Sequence, residues 1–176
     1  MEVVHAPDKR LRVQTKPVKK ITPALLNTLK EMIKLTKTFK EPEGVGLAAT
    51  QVGLEESFFV AKEDRDPPAG GFIKVINPKV ISLSKKTKTY FEGCLSIPNM
   101  WGEVKRHISM KVSYQDENSH SITKTLTGVP AWIFQHEIDH LNGTLFSDRV
   151  LQQKGKFYKY TGKDRTGSDM FEEVTI

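Results

Sequence analysis

The segment from Pro130 to Gly143 constrains this chain more than any other, because it reads as a helix that has to be buried. Proline suits a helix start, where its missing N–H costs nothing, and Asn142-Gly143 is a C-terminal stop. Stepping about 100° per residue from His136 puts Trp132, Ile133 and His140 on one side. Ala131, Phe134, Ile138 and Leu141 fall on the other. A helix apolar on both faces is enclosed by the rest of the fold, so its histidines face an enclosed site rather than open water. His136 and His140 are one helical turn apart and aim at a single point. Glu137 follows the first, as in helices that bind a metal and use a neighbouring carboxylate to move protons. Asp139 lies about 60° round on the histidine side, where it either orients a ligand or faces solvent.

The only cysteine, Cys94, lies in Glu92-Gly93-Cys94-Leu95-Ser96. A single buried histidine is more often a hydrogen-bonded core residue, and a lone cysteine more often an apolar one. Taken together, two imidazoles, a thiolate and an open fourth position describe a catalytic metal site rather than a closed structural one. Thiolate and imidazole suit divalent iron or zinc. Such a cation brings a bound water towards neutral pKa, and Glu137 is placed to take its proton and return it to a leaving amine. One cysteine excludes an internal disulfide and fits a reducing compartment.

Gly44-Val45-Gly46-Leu47-Ala48-Ala49-Thr50-Gln51 superficially matches a dinucleotide fingerprint. That fingerprint needs a strand before it, and here a lysine-rich helix and Glu41-Pro42-Glu43 precede it. The better reading is backbone packed tightly beside the site by small residues, with Gln51 presenting its side-chain amide to developing negative charge.

The rest of the chain supplies the enclosure. Thr22-Pro23 is an N-cap with proline at the first helical position. Leu25, Leu26, Leu29, Met32, Ile33 and Phe39 then recur at helical spacing among lysines. This pattern predicts an amphipathic helix packed on the core. Glu41-Pro42-Glu43-Gly44 ends it. Residues 57–61, 72–76, 80–83, 87–91 and 122–126 read as strands, with a loop at Asp66 to Gly71. Ile108, Met110, Val112 and Tyr114 alternate with polar residues, the period of a half-buried strand. Helix, many strands, then helix predicts an α+β fold with antiparallel sheets around the histidine-bearing helix. Residues 1–150 form one catalytic domain in this reading. Residues 151–176 form a polar, loosely held tail, because Gly155, Gly162 and Gly167 interrupt any period.

Composition excludes some functions. The chain has 176 residues, 38% apolar and 27% charged. That is enough for one domain with a real core. No apolar run approaches the roughly 20 residues of a membrane helix, and the start lacks a secretory pattern. Net charge is +6, and residues 1–40 carry ten Lys and Arg against three acids. No nucleic-acid motif accompanies this excess, so it reads as a solvated helix face rather than a sequence-specific nucleic-acid surface.

The glycine segment, Glu92 to Ser96 and Gln135 to His140 occur together in the order and spacing of peptide deformylases. His5-Ala6-Pro7-Asp8, Leu11-Arg12 and Ile76-Asn77-Pro78 extend this likeness over about residues 2 to 150. The resemblance implies a small α+β enzyme that removes the formyl group from N-formylmethionyl nascent polypeptides. It implies Cys94, His136 and His140 as ligands of one divalent ion, natively Fe2+ with Zn2+, Ni2+ or Co2+ able to substitute. It assigns acid–base work to Glu137 and oxyanion stabilisation to Gln51 and the backbone N–H of Leu95. The methionine pocket would involve Val45, Gly46, Tyr90, Glu92, Gly93, Val129, Trp132 and Ile133, with Trp132 larger than the family pattern expects. Arg106 matches a family arginine and is expected to pair with Glu92 or Asp139. The resemblance further implies a cytoplasmic, bacterial-type monomer, or an organellar one if a transit peptide precedes this sequence. Many bacterial members end in a basic helix that touches the ribosome surface, and the glycines and acidic end of this chain depart from that.

Two rival readings are a zinc endopeptidase, with Asp148 or Asp164 as a downstream third ligand, and a metal-binding protein without catalysis.

Overall fold

The computed structural model describes residues 1–40, 42–62 and 71–175. The loop expected from Asp66 lies outside the described residues up to Gly70, as does Glu41.

Helix α1 (Pro23–Thr36) opens where Thr22 accepts a hydrogen bond from the Leu25 N–H at 3.2 Å. It buries Leu25, Leu29 and Met32 and leaves its lysines outside. The helix stops before Phe39, which reaches the core from the following turn.

Strands β1 (Gly46–Ala48), β2 (Phe58–Lys62), β3 (Phe72–Leu83), β6 (Ser109–Gln115) and β7 (Ser121–Thr127) form one antiparallel sheet in the order β1-β2-β3-β6-β7. The two strands expected at 72–76 and 80–83 are a single strand bent in the middle. Pro78 cannot donate to a ladder. Asn77 adopts φ 53°, and the register shifts between Ile76 and Lys79, as at a bulge. The Asn77 side chain uses that bend to hold the Val18 N–H and C=O at 2.8 and 3.0 Å.

A second antiparallel sheet has the order β4-β5-β8-β9, built from β4 (Thr87–Cys94), β5 (Ile97–His107), β8 (Phe157–Lys163) and β9 (Asp169–Val174). The expectation of a loosely held tail from residue 151 is corrected here. A short helix α3 (Phe146–Gln153) precedes the β8–β9 hairpin, which joins the sheet through Trp101 to Tyr158 and Gly102 to Phe157. The glycines that break the sequence pattern build this hairpin. Gly162 sits at a bulge. Gly167 takes φ 85° in a turn where Asp164 accepts from the Thr166 and Ser168 N–H groups, a conformation that glycine adopts at no steric cost.

Helix α2 (Val129–Leu141) contacts both sheets, through β1, β2 and β7 on one side and β5 on the other. Phe134 meets Phe59 edge-on at 5.0 Å, a favoured ring geometry that fixes the apolar face. Gly143 closes the helix with φ 69°, where a Cβ would lie 2.5 Å from the Arg12 carbonyl. Left-handed glycine is the usual way to end a helix. Among the described residues no helix is long and apolar enough to cross a membrane.

Candidate metal centre

Three elements deliver the ligands and their neighbours. Helix α2 brings His136 and His140 to one face, with ring centroids 5.0 Å apart. Strand β4 ends at Cys94, whose Sγ lies 3.2 Å from His140 Nε2. One ligand atom each from Cys94, His136 and His140 lie within 4.8 Å of one another, and Cys94 and His140 are buried. Soft sulfur with two imidazoles matches a first-row divalent cation. Convergence of three such donors, with no carboxylate among them, fits that group better than a hydrogen-bonded core.

The surroundings fix the ligands in place. The His136 Nδ1 lies 2.9 Å from Glu92 Oε2, which directs its other ring nitrogen to the site. Burial works to raise the Glu92 pKa, but hydrogen bonds from Arg106 and His136 outweigh it and hold the carboxyl at about 2. Hydrogen bonds to the charged form favour that form. Arg106 forks onto Glu92 at 2.7 and 2.9 Å and reaches Asp139 at 2.5 Å. Asp139 also accepts from Arg149 at 2.6 and 3.0 Å. The sequence leaves open whether Arg106 pairs with Glu92 or Asp139; it holds both. Asp139 is a buried member of this network rather than a surface carboxylate. Burial and the positive groups around it keep His140 well below the usual imidazole range, so it is a neutral donor.

Glu137 is different. It is buried, and its Oε2 has no hydrogen-bond partner among the described residues. Burial raises its pKa to about 7, the range in which a carboxyl both accepts and returns protons. Its other oxygen lies so close to β1 that a Cβ on Gly46 would stand 2.3 Å away. This close approach explains the glycine segment. Beyond Ala48 the chain turns into a short 3-10 helix (Ala49–Val52) that buries Gln51. The Ala48 N–H donates to Gln51 Oε1 at 2.8 Å, so the Gln51 amide NH2 faces the site, 3.5 Å from Cys94 Sγ and 3.1 Å from Ser96 Oγ. Leu95 occupies the tight turn between β4 and β5, next to the cysteine.

A cleft opens beside these groups. Val45, Gly46, Gly93, Trp132 and Ile133 line it, as do Gln51, Leu95, His136 and Glu137. Tyr90 and Val129 are not among its lining residues. Tyr90 instead stacks on Trp132 at 5.2 Å, and Glu92 lies beneath the cleft in the arginine network. Pro42, Glu43 and Trp101 line the cleft without having been singled out in the sequence. A tight turn at Leu95-Ser96 folds β5 back along β4 and brings Trp101 opposite Gly93. Recognising that turn was the available signal for Trp101.

Asp148 and Asp164 do not approach the cluster. Asp148 pairs with Arg12 and caps α3 by accepting from the Leu145 N–H, while Asp164 holds the β8–β9 turn. The endopeptidase reading therefore loses its third ligand.

The sequence profile of the polypeptide deformylase family matches residues 1–156. A peptide deformylase of Thermotoga neapolitana is 42% identical over 147 residues, covering 84% of this chain and 85% of that protein. The crystal structure of the Thermotoga maritima enzyme superimposes with a TM-score of 0.77 at 38% identity, covering 84% of this chain and 95% of that one. A Met-Ala-Ser-bound peptide deformylase from Acinetobacter baumannii gives 0.75 at 30% identity, covering 85% of this chain and 98% of that one. With its Cys94, His136 and His140 cluster, this chain belongs to the polypeptide deformylase family of metal-dependent hydrolases.

Proposed function

We propose that Cys94, His136 and His140 hold one divalent ion, natively ferrous iron, and that the enzyme deformylates N-formylmethionyl peptides in a bacterial-type cytoplasm. The observation that carries this reading is the buried, unpartnered Glu137 Oε2 beside three converging ligand atoms. A buried carboxyl without a partner is costly, and a proton-transfer role explains why it stays. When bound, the cation supplies Lewis-acid polarisation of the formyl carbonyl and lowers the pKa of a coordinated water. Glu137 takes the proton from the attacking water and delivers it to the departing methionine nitrogen, releasing formate and a free amine. The Gln51 amide, already turned towards the site, and the Leu95 N–H offer hydrogen bonds to the carbonyl oxygen as it gains charge. Val45, Gly46, Gly93, Trp132 and Ile133 receive the methionine side chain. Tyr90 acts by bracing Trp132. The Met-Ala-Ser held by the Acinetobacter relative supports a methionine-first peptide as the ligand.

The test is direct. Protein purified without oxygen is given formyl-Met-Ala-Ser and an internal peptide, and formate and new amines are measured. Formate from the first and no cleavage of the second is expected. Cleavage of the internal peptide without formate would overturn the proposal.

A further inference from the structure

Helix α3 packs beside the metal centre. Strand pairing puts Glu92 opposite Gly102 and Lys88 opposite Arg106. Paired residues share a face of the sheet, and so do residues two apart in one strand. Glu92, Cys94, Gly102 and Arg106 therefore stand on the inner face of the four-stranded sheet, which α2 and α3 cover, with Phe91 and Trp101 on the outer one. Phe146 and Val150, one turn apart on α3, enter the apolar cluster that holds Cys94 and Val104. The fit is close, since a Cβ on Gly102 would stand 2.5 Å from the Val150 side chain. Arg149, next to Val150, leaves this cluster and turns to Asp139 on α2.

The hydrogen bonds divide unevenly between the two arginines. Arg106 gives a fork, Nε and Nη2, to Glu92 at 2.7 and 2.9 Å, and a single bond from Nη1 to Asp139 Oδ2 at 2.5 Å. Arg149 gives its own fork to Asp139, Nη2 to Oδ1 at 2.6 Å and Nε to Oδ2 at 3.0 Å. Two guanidiniums thus balance two carboxylates, and each carboxylate receives one fork. Glu92 also faces His136 Nδ1 at 2.9 Å. A buried carboxylate stripped of its cation is costly. Without Arg149, Asp139 and Glu92 would share Arg106 alone. Any shift of Arg106 towards Asp139 is then taken from its fork on Glu92, whose contact orients the His136 ring.

We propose that Arg149 is a positioning residue of the metal centre: by neutralising Asp139 it leaves Arg106 committed to Glu92, and so keeps the His136 imidazole aimed at the cation. The proposal deepens the deformylase reading and rests on it for the turnover measurement alone. Arg149 lines a groove with Arg106, Asp139 and Gln135 that shares no lining residue with the active-site cleft. It therefore acts on the reaction without touching the peptide. Its side chain is 38% exposed, so water takes over part of its role when it is removed. That places the effect at the low end of the roughly 10- to 100-fold that partners behind metal ligands contribute. Helix α3 then serves both kinds of ligand, packing its apolar side around Cys94 and reaching His136 through Arg149.

The experiment uses cobalt-loaded protein, purified without oxygen, as wild type, Arg149→Leu, Arg149→Lys and Arg149→Leu/Asp139→Asn, with thermal melting to confirm folding. The visible cobalt bands, the rate of metal loss to a chelator, and kcat and KM for formyl-Met-Ala-Ser are measured. Arg149→Leu should lose metal about tenfold faster and lower kcat about tenfold, with altered cobalt bands and KM within about twofold of wild type. Arg149→Lys keeps the charge but not the fork, and should lose metal about threefold faster than wild type. Asp139→Asn removes the stranded charge and keeps the shape, so the double variant should recover to within about threefold of wild type. Wild-type metal loss and cobalt bands in Arg149→Leu would overturn the proposal. So would a loss that Asp139→Asn does not relieve, which is what packing of α3 alone predicts, or a rise in KM at unchanged kcat. If Arg149→Leu does not fold, Arg149→Lys decides, with faster metal loss in support and unchanged metal loss against. Wild type that releases no formate removes the deformylase reading and leaves the metal measurements in force. Formate with metal loss unchanged in the variants removes only the role of Arg149.

Discussion

The two faces of the four-stranded sheet invert the usual arrangement. The inner face carries Glu92, Cys94 and Arg106, all buried, while the outer face carries Phe91, Trp101 and Phe171 in partial contact with solvent. Buried charge survives only when it is paired and hydrogen-bonded. Glu92, Arg106 and Asp139 meet that condition completely, and Glu137 does not. The contrast separates support from chemistry. Satisfied groups on the inner side hold the ligands, and Glu137, the buried carboxyl left with an unsatisfied oxygen among the described residues, is the group left to react.

The largest expected effect breaks the inner face at its reacting member. Glu137→Gln should lower kcat by about a thousandfold or more, as loss of a general acid–base does, with the metal-to-protein ratio from elemental analysis unchanged. Arg106→Met comes next. It leaves Glu92 and Asp139 buried without their shared cation, and should cost about 3–5 kcal/mol of stability, read by denaturant unfolding. The outer face offers the control for that variant. Lys156 and Glu173 form a salt bridge at 2.8 Å with both side chains about half exposed.

Titration sharpens the comparison. In the metal-free protein Glu137 has a pKa of about 7, against an ordinary value of 4.5. Below pH 4.5 it is protonated folded or unfolded, so its burial carries no charge penalty. Between these values the folded state holds a proton the unfolded chain has lost, so this group's contribution to stability falls as pH rises. Above about pH 7 the full penalty applies, roughly 3 kcal/mol. Metal-free Glu137→Gln should therefore melt above metal-free wild type at pH 8, and the gap should close near pH 4.

Gly46→Ala should lower kcat by about 10- to 100-fold through displacement of the Glu137 carboxylate, with metal retained. The smallest effect belongs to the outer rim. Glu173→Ala should move the melting midpoint by no more than about 1 °C, because exposed ion pairs contribute little.

Much of the site is readable in sequence because it is local. The turn-spaced histidines and the Glu beside the first need only helical geometry, and Thr22-Pro23 and Asn142-Gly143 mark where one helix begins and the other ends. What the sequence hides depends on pairing between distant strands. Strand β5 holds Pro98, Gly102 and several charges with no clean alternation, and it is a strand because β4 and β8 bond to it on either side. The β8–β9 hairpin is hidden for the same reason, since its glycines read as interruptions until Asp164 closes the turn. Trp101 enters the cleft through register with Gly93, which only recognition of the Leu95-Ser96 turn would disclose. The place of Tyr90 in the pocket rests on resemblance, and in the fold its ring stacks on Trp132, which lines the cleft.

X-ray absorption at the metal edge of zinc-loaded protein tests the central claim most directly. One sulfur at about 2.3 Å, two imidazole nitrogens at about 2.0–2.1 Å and one oxygen from water are predicted. A shell without sulfur, or with a fourth protein donor in place of water, would contradict the account.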